Sequence, residues 1–339
     1  MKKQTFHFSR SSTDLYFANG ISHLKEIIDI KNAIVITDEN VFNAHSKRFR
    51  NFRAIILKAG EEYKVQATVD SIIEQLIAFE ADRQTILVGI GGGVITDMTG
   101  YVASVYMRGI RFGFIPTTLL ALVDASIGGK NGIDVGVYKN IVGNTTQPSF
   151  ILHDMIFVNT LPESEWQNGF AEIIKHACIK DAEMFKELQS NSIKYYQSKK
   201  KAICELVQRN ARLKIKVVQA DEFEKGERRL LNFGHTLGHA LENQYELSHG
   251  QAISIGMVYA SHVSEQLSGF KQTGSIVKVL EQYGLPTYAS FNKQKVFGVL
   301  KMDKKRVKKE INYILLKKIG QGIIQQIPMS EMEKIIMNL

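Results

Sequence analysis

The residues with the clearest chemical potential lie in the second half of the chain. Three of the nine histidines, His235, His239 and His249, fall within fifteen residues. A helical pattern puts His235 and His239 four apart on one face, and Glu172 and Lys175 three apart on a face of another helix. Two imidazoles and one carboxylate form a metal set that leaves positions open for a substrate. Buried core histidines are the common alternative and the spacing matches no short metal motif, so spacing alone makes a metal plausible and no more.

A glycine-rich turn in the first half of the chain could hold a phosphate. Gly91-Gly92-Gly93 follows the strand-like run Thr85–Ile90 and opens a helical pattern. Glycines let backbone N–H groups approach a phosphate, and the start of a helix adds partial positive charge. The run lacks the third glycine of the dinucleotide fingerprint, so a tight turn without a ligand remains an equal alternative.

An acidic residue, Asp38, closes a second strand-like run, Ala33–Thr37. A carboxylate at this position can accept hydrogen bonds from a ribose diol, and it can equally cap the following helix. Together with a pyrophosphate on Gly92 and Gly93, it predicts NAD rather than NADP, because Asp38 would repel a 2′-phosphate.

A polar loop from Asp124 to Gly132 contains Lys130, and Lys139 follows it. Two ammonium groups on flexible loops, with Arg108 upstream, could clamp an oxyanion. A solvated surface loop is the alternative, and the loop taken alone favours it.

The elements that must position these residues differ between the two halves of the chain. In the first half, continuous apolar runs alternate with amphipathic patterns such as Thr68 to Phe79, which is typical of a parallel sheet with buried strands. The strand-like runs are Ala33–Thr37, Ala54–Leu57, Thr85–Ile90, Phe112–Ile115 and Phe150–Val158.

The second half has helical periodicity from Pro162 to about Leu285, including a long stretch from Glu163 to Leu188. We therefore predict an α/β domain over 1–160 and an all-helical domain over 161–339. A cleft between two such domains is a preferred place for a ligand.

Composition limits the class of protein. With 339 residues, 44% hydrophobic and 5 prolines, the chain can bury a large core and is neither disordered nor fibrous. No segment approaches the ~18 apolar residues of a membrane span, and the N-terminal segment has no apolar run of a secretory signal. Cys178 and Cys204 are too few for a disulfide framework. We expect a cytoplasmic protein with no membrane partner.

The net charge of +9 indicates either an anionic partner or a solvated basic surface. The basic clusters at 199–201 and 301–318 contain a single aromatic residue, Tyr313, and so lack the interleaved aromatic residues that would stack on bases. A phosphorylated small molecule is therefore favoured, and no nucleic-acid partner is expected.

Taken together, several ordered segments resemble the 3-dehydroquinate synthases of the sugar-phosphate cyclase family. The resemblance runs from Asp38 to about Gly320 and is carried by GGGVITDMTGYVAS, YMRGIRFGFIPTTLLALVDASIGGKNGID, YKNIVG, GFAEIIKH, DEFEKGERRLLNFGHTLGHALE and HGQA. It implies a Rossmann-like α/β N-terminal domain with a parallel sheet, an all-α C-terminal domain, NAD and a Zn²⁺ or Co²⁺ ion.

The reaction implied by the resemblance converts 3-deoxy-D-arabino-heptulosonate 7-phosphate to 3-dehydroquinate and phosphate, the second step of the shikimate pathway. It proceeds by transient oxidation, phosphate elimination, re-reduction and intramolecular aldol closure. The enzyme is a phosphorus–oxygen lyase, and the family is commonly dimeric.

The resemblance also implies site residues by position. The metal ligands would be Glu172, His235 and His249. The residues that bind the substrate and its phosphate would be Asp124, Lys130, Asn140, Lys175, Lys214, Arg228, Asn232 and His239, with Arg108 and Lys139. The residues that contact the cofactor would be Asp38, Asn40, Glu61, Lys64, Gly92, Gly93, Val94, Asp97, Thr117, Thr118, Leu120, Asp124, Lys130, Lys139, Thr160, Leu161 and Glu165. Arg108 is expected from a neighbouring subunit, His239 is the candidate for proton transfer, and a further lysine falls on Lys304 or Lys305.

The chain departs from the family pattern at three places. Asn131 stands where the family has threonine, Gln251 stands where it has glutamate, and Asn144-Thr145-Thr146 replaces a more aromatic stretch. None of these positions has a metal or phosphate role in the family, so the departures bear on fine geometry and rate.

Three alternative functions remain open. A related cyclase would act on another sugar phosphate, but Arg228 and Asn232 together favour a substrate with a carboxylate, which suits the guanidinium fork. An NAD-dependent alcohol dehydrogenase needs no phosphate clamp and would release no phosphate. A nucleic-acid-binding protein would bind in a salt-sensitive way and turn over no sugar phosphate.

Overall fold

The chain folds into two units in this computed structural model. The residues that the structure describes are 2–18, 20–136, 138–242, 244–300, 306–307 and 310–338. The units comprise Met1–Glu165 with Val207–Phe223, and Trp166–Leu206 with Glu224–Leu339. The predicted division into 1–160 and 161–339 differs from this grouping at Val207–Phe223, because Ala211 and Ile215 pack in the apolar core of the first unit.

The first unit is built on a seven-stranded sheet and a separate hairpin. The strands are β1 Lys2–His7, β2 Ser12–Ala18, β3 Ala33–Asp38, β4 Arg53–Leu57, β5 Ile86–Gly91, β6 Arg111–Pro116, the hairpin strands β7 Lys130–Val135 and β8 Tyr138–Thr145, and β9 Phe150–Asp154. The order across the sheet is β1-β2-β9-β6-β5-β3-β4. β1 is antiparallel to β2, and the other neighbouring pairs are parallel. The predicted α/β class with a parallel sheet is confirmed.

The central strands are continuously apolar because both faces of the sheet are covered. In β3, Ile34 and Ile36 belong to one apolar core, while Ala33 and Val35 belong to another. Successive side chains of a strand point to opposite faces, so burial of both faces requires every residue to be apolar. The predicted run Phe150–Val158 is a strand only as far as Asp154, since a short helical turn follows.

Helices connect the parallel strands of the first unit. They are α1 Glu39–His45 after β3, α2 Gln66–Ala78 after β4 and α3 Gly93–Val105 after β5. The segment predicted as a polar loop becomes strand β7 from Lys130 onward, because this strand pairs with β8.

The chain from residue 163 onward is mainly helical, as predicted. Its helices are α4 Glu163–Lys180, α5 Ala182–Gln189, α6 Ile193–Ser198, α7 Lys200–Ala220, α8 His235–Glu242, α9 His249–Ser268, α10 Thr273–Gln282, α11 Lys293–Leu300 and α12 Met329–Asn338. None of the described helices combines the length and apolar character that crossing a membrane requires.

The second unit also contains an antiparallel sheet that the sequence analysis did not predict. Its strands are β10 Arg306–Val307, β11 Glu310–Lys318 and β12 Gln321–Pro328. β11 is bound to α9, because the Leu316 N–H donates to Ser264 Oγ at 2.9 Å and Ser268 Oγ donates to the Leu316 carbonyl at 2.7 Å. The C-terminal part is therefore predominantly helical rather than all-α.

A buried histidine in β9 leads to a stability prediction. His153 is 1% exposed, and neither of its ring nitrogens has a hydrogen-bond partner among the described residues. Burial lowers its pKa to about 3, so the folded chain holds the neutral imidazole. We expect His153→Leu to raise the free energy of unfolding by about 1–3 kcal/mol, the cost of an unpaired buried polar group.

The same histidine predicts a pH dependence that urea unfolding can measure. Between pH 6.5 and about 3, the unfolded chain binds a proton at His153 that the folded chain excludes. Stability therefore falls with decreasing pH, by up to about 1.4 kcal/mol per pH unit, and His153→Leu removes this contribution. His262→Leu, at an exposed histidine, is the control. A His153→Leu variant with the stability and pH slope of the wild type would contradict the prediction.

Candidate active site

Apart from Asp124, Lys130 and Lys139, the residues implied to contact the cofactor lie at the carboxyl edge of the parallel sheet. They follow five adjacent strands: Glu61 and Lys64 after β4; Asp38 and Asn40 at the end of β3; Gly92, Gly93, Val94 and Asp97 after β5; Thr117, Thr118 and Leu120 after β6; Thr160, Leu161 and Glu165 after β9. β3 pairs with both β4 and β5, so the order of the chain reverses between β3 and β5. Open α/β sheets bind ligands at such a switch point.

The turn between β5 and α3 fits a pyrophosphate. A Cβ on Gly91 would lie 2.5 Å from Ile95 Cβ, and one on Gly92 would lie 3.0 Å from Thr118 Cγ2. Only glycine therefore keeps this tight turn clear. Gly92 precedes α3 and brings no side-chain cap, so the first N–H groups and the positive end of the helix dipole are available to an anion.

Asp38 caps α1, which realises one of the two alternatives that the sequence left open. Its Oδ1 accepts a hydrogen bond from the Val41 N–H at 3.0 Å. Burial raises the pKa of this carboxyl, and the backbone N–H groups of Val41 and Asn40 partly oppose the shift. A carboxylate has further acceptor positions, so the cap does not exclude a contact with a ribose.

Lys64 and Asp97 form a buried charge pair in the first unit. The Lys64 side chain is 4% exposed, and its Nζ donates to Asp97 Oδ2 and to Asn140 Oδ1, both at 2.6 Å. Desolvation lowers the pKa of Lys64, but the Asp97 and Glu61 carboxylates raise it by more. The net pKa is above its ordinary value, so the ammonium stays charged. Lys64 thus links Asp97, which the resemblance implies for the cofactor, to Asn140, which it implies for the substrate.

Asp134 is a residue that the sequence analysis missed. Asn140 has a left-handed backbone with φ 52°, and its N–H donates to Asp134 Oδ1 at 2.6 Å. The Asp134 N–H donates in turn to the Lys64 carbonyl at 2.8 Å. Asp134 therefore ties the backbone of Asn140, on the hairpin that also carries Lys130 and Lys139, to the backbone of Lys64, which follows β4.

A second lysine–aspartate pair involves two residues implied to bind the substrate. Lys214, on α7, is 7% exposed. Its Nζ lies 2.8 Å from Asp124 Oδ1 and donates to the Asp124 carbonyl oxygen at 2.6 Å. The structure brings these two residues together although ninety positions separate them in the sequence.

The three residues predicted as metal ligands meet in the second unit. Glu172 Oε1 lies 3.2 Å from His249 Nε2 and 3.6 Å from His235 Nε2, and the three ligand atoms lie within 4.8 Å of one another. Ligands of a tetrahedral zinc ion, each at about 2.0–2.2 Å, stand roughly 3.3–3.5 Å apart. The donor set and its spacing therefore fit zinc or cobalt.

The tautomers of both histidines also suit a metal ion. His235 Nδ1 lies 3.1 Å from the Phe233 carbonyl oxygen, and His249 Nδ1 lies 3.5 Å from Glu242 Oε2. An oxygen acceptor at Nδ1 requires the proton there, which leaves the Nε2 lone pair for the ion. Desolvation lowers the pKa of His249, but the Glu172 and Glu242 carboxylates raise it to about 10, so an ion that binds must displace a proton.

Lys175 and His239 border this ligand set. Lys175 is 1% exposed and ion-paired with Glu172, which is fully buried one helical turn away on α4. The His239 ring is centred 5.0 Å from that of His235 on α8. His239 is outside the group of three ligands, which agrees with a role other than ligation.

Arg228 and Asn232 lie on one short helical segment, Glu227–Asn232. Arg228 is 3% exposed, and Asn232 Nδ2 donates to Glu224 Oε1. Glu224, which the sequence analysis missed, has a left-handed backbone with φ 58°. Non-glycine residues seldom adopt this conformation, and such strain clusters at functional sites. The predicted Lys304 and Lys305 lie outside the described residues.

Arg108 lies away from the carboxyl edge of the sheet in the first unit. It precedes β6, whereas Thr117 and Thr118 follow that strand, so about 20 Å of strand separates them. Met107 and Arg108 both have left-handed backbones, with φ 49° and 68°. The expectation that Arg108 serves the site of a neighbouring subunit stays a prediction.

Two of the departures from the family pattern contact each other. Asn131 is 5% exposed, and its Nδ2 donates to the carbonyl oxygens of Gly129 at 2.9 Å and Thr146 at 3.0 Å, and lies 3.2 Å from Asn144 Oδ1. The unusual residues at 131 and 144–146 therefore form one hydrogen-bonded group that closes the hairpin beside Lys130.

The third departure, Gln251, preserves a helix cap. Its side-chain oxygen accepts the Ser248 N–H at 3.0 Å, and Ser248 Oγ accepts the Gln251 N–H, which is a complete capping box. Asn168 Oδ1 also accepts the Gly250 N–H at 3.0 Å. Glutamine thus replaces glutamate here without loss of the cap that starts α9 at His249.

Family models and a curated relative match this chain over most of its length. Residues 54–168 match the model of the 3-dehydroquinate synthase N-terminal domain, and residues 169–306 match that of the 3-dehydroquinate synthase C-terminal domain. The 3-dehydroquinate synthase of Pyrococcus abyssi is 39% identical over 277 residues, which cover 81% of each chain.

Two solved structures share the fold. The 2-epi-5-epi-valiolone synthase of Streptomyces hygroscopicus, with NAD⁺ and Zn²⁺ bound, has a TM-score of 0.88 at 25% identity and covers 99% of this chain and 98% of its own. A 2-deoxy-scyllo-inosose synthase, complexed with carbaglucose-6-phosphate, NAD⁺ and Co²⁺, has a TM-score of 0.86 at 23% identity and covers 99% of both chains.

Proposed function

The chain belongs to the 3-dehydroquinate synthase family, and from this membership we propose that it converts 3-deoxy-D-arabino-heptulosonate 7-phosphate to 3-dehydroquinate and phosphate. In this proposal it is a phosphorus–oxygen lyase of the shikimate pathway. The observation that carries the proposal is the convergence of Glu172, His235 and His249 on a space suited to one ion. We assign the reaction to the cytoplasm, where thiols stay reduced, because Cys178 and Cys204 are both free.

Two groups of residues would hold the cofactors. When bound, NAD⁺ supplies hydride transfer and a zinc or cobalt ion supplies Lewis-acid polarisation of substrate oxygens. Glu172, His235 and His249 would hold the ion. The turn at Gly92 and Gly93 would bind the pyrophosphate, and the other residues at the carboxyl edge of the sheet would orient the rest of the dinucleotide.

The cationic residues of the hairpin would stabilise the departing phosphate. Negative charge collects on the phosphate oxygens as the carbon–oxygen bond breaks, and prearranged donors lower the energy of that state. Lys130, Lys139 and Asn140 are suited to this task, because Asp134 and Lys64 hold Asn140 in one conformation.

The opposite end of the substrate carries a carboxylate, for which Arg228 is the proposed partner. A guanidinium can bind a carboxylate through two parallel hydrogen bonds. Asn232 is on the same helical segment, and Lys175, Lys214 with Asp124, and His239 would contact the hydroxyl groups. We assign His239 to proton transfer at the carbon-5 hydroxyl, since imidazole titrates near neutral pH.

An assay of phosphate release tests the proposed reaction. The protein is incubated with the heptulosonate phosphate, NAD⁺ and Zn²⁺ or Co²⁺, and both phosphate and 3-dehydroquinate are measured. Glucose 6-phosphate, which lacks the carboxylate, is the rival substrate. Phosphate release from glucose 6-phosphate alone would favour a different cyclase, and oxidation of an alcohol without phosphate release would favour a dehydrogenase.

We further propose that the enzyme is a homodimer in which Arg108 completes the site of its partner. We expect the Arg108→Ala and Lys175→Ala variants each to be inactive alone. When the two are co-expressed, each mixed dimer has one site free of substitutions, so about a quarter of wild-type activity returns if subunits pair at random. Mixing Lys175→Ala with Arg228→Ala is the control, because both lie in the same site and no intact site forms. A failure of the first pair to recover activity would refute the contribution of Arg108 across subunits.

A further inference from the structure

Glu242 is a buried carboxylate beside the proposed metal ligands. Its side chain is 8% exposed, and Oε2 lies 3.5 Å from Nδ1 of His249. It ends helix α8, which begins at His235. Positions seven apart on a helix lie on the same face, so α8 presents a metal ligand and this carboxylate to the same region.

The two histidines differ in what holds their Nδ1 atoms. His235 uses the Phe233 carbonyl, which is part of the backbone and fixed by the fold. His249 is 29% exposed in its side chain, and the described contact at its Nδ1 is the Glu242 side chain. His249 therefore depends on a replaceable carboxylate for the orientation of its ring.

The charges around the ligand set supply a second argument. Glu172, the only carboxylate of the predicted triad, is ion-paired with the buried Lys175. A divalent cation would therefore meet a carboxylate whose charge is already largely offset. Glu242 adds a negative charge on the side of the His249 ring that faces away from the ion. This charge makes His249 a stronger ligand and compensates part of the charge of the ion.

We propose that Glu242 is a positioning residue for the metal ion: its carboxylate accepts the Nδ1–H of His249 and holds the ring with Nε2 directed at the ion. This inference rests on the proposed function of the triad. In this role Glu242 strengthens metal binding even when no substrate is present and no reaction takes place.

The affinity of the metal-free protein for Zn²⁺ tests this role directly. The full chain is freed of metal by dialysis against a chelator, and Zn²⁺ binding is measured by competition with a chromophoric chelator. We expect Glu242→Ala to bind Zn²⁺ about 10–100-fold more weakly than the wild type. Glu242→Gln keeps an oxygen that can accept the Nδ1–H, so it should retain most of the affinity.

Two further variants make each outcome decisive. Glu265→Gln is the matched control: this exposed glutamate on α9 lies 3.0 Å from His262 Nδ1 and should leave Zn²⁺ affinity unchanged. Glu172→Gln should lose the site. If Glu172→Gln binds normally, the proposed metal site itself is wrong. If Glu172→Gln loses Zn²⁺ while Glu242→Ala binds within about twofold of the wild type, the role of Glu242 is refuted. Equal losses in Glu242→Ala and Glu242→Gln, together with a lower melting temperature of the metal-free protein, would indicate a structural role and also overturn the proposal.

Discussion

Removal of the divalent ion abolishes phosphate release and leaves the fold intact: this is the largest effect that we expect from any change of conditions. Polarisation of substrate oxygens by a bound ion is worth several kcal/mol of barrier, so the rate should fall by a factor on the order of 10³ or more. The proposed ligands are side chains on helices that are packed independently of the ion, with Glu172 fully buried on α4. Circular dichroism and melting curves should therefore show a folded protein after dialysis against EDTA, and added Zn²⁺ or Co²⁺ should restore the rate.

The substitution Glu172→Gln tests the same site from within the chain. The variant should contain no stoichiometric metal and should not regain activity on addition of Zn²⁺. It also removes an ion-pair partner of the buried Lys175, so the variant should be less stable than the wild type. The comparison is therefore made at a temperature at which the variant is still folded, with Glu265→Gln as the control. Full turnover by a protein shown by elemental analysis to be metal-free would refute the proposed triad.

Residue type indicated where the proposed metal ligands lie, because three of the nine histidines fall at positions 235–249. Helical spacing, however, paired His235 with His239, and only the resemblance to the family selected Glu172, His235 and His249 as the ligand set. What brings His249 to the same point is tertiary packing. A Cβ on Gly256 would collide with the Gly234 carbonyl oxygen, so α8 and α9 approach closely only because these residues are glycines. Such contacts between helices leave no local pattern in the sequence.

The supporting residues escaped prediction for the same reason. Asp134 accepts a hydrogen bond from the backbone N–H of Asn140. Almost every residue has a backbone N–H, so the residue type at position 140 does not reveal this contact. Glu242 is an ordinary glutamate at the end of a helix, and only the packing of the α9 N-terminus against α8 makes it a neighbour of His249. The antiparallel strands β11 and β12 were missed because their apolar residues do not alternate strictly; six consecutive buried residues of β11 face neighbours on both sides.

The departures show how local substitution can be absorbed by the surrounding structure. From the sequence alone, Asn131 and Asn144-Thr145-Thr146 are separate anomalies. In the folded chain they form one hydrogen-bonded group, so we infer that each accommodates the other. Gln251 is accommodated differently, because a capping box accepts glutamine as readily as glutamate.

Replacement of Arg228 by Ala is the substitution from which we expect the largest loss of substrate recognition. Arg228 is 3% exposed, and truncation of one partner of a buried charge pair costs about 2–5 kcal/mol, because the other partner, here the substrate carboxylate, is left unpaired. The value of kcat/KM for the heptulosonate phosphate should therefore fall on the order of 10²–10³-fold. Arg228→Lys keeps the charge but loses the planar fork, so it should recover only part of the loss. Steady-state kinetics with each variant, at saturating NAD⁺ and metal, measure these effects.

The readout that distinguishes recognition from general damage is the affinity for ligands that have no carboxylate. If Arg228 binds the substrate carboxylate, then Arg228→Ala should bind NAD⁺ and Zn²⁺ with wild-type affinity, and inorganic phosphate should inhibit the variant and the wild type to the same degree. Lys225→Ala, at an exposed cation on the same stretch of chain, is the matched control and should leave kcat/KM unchanged. A variant in which NAD⁺, Zn²⁺ and substrate affinities all fall together would indicate that Arg228 supports the fold, because loss of one substrate contact cannot weaken binding at the other sites to the same degree.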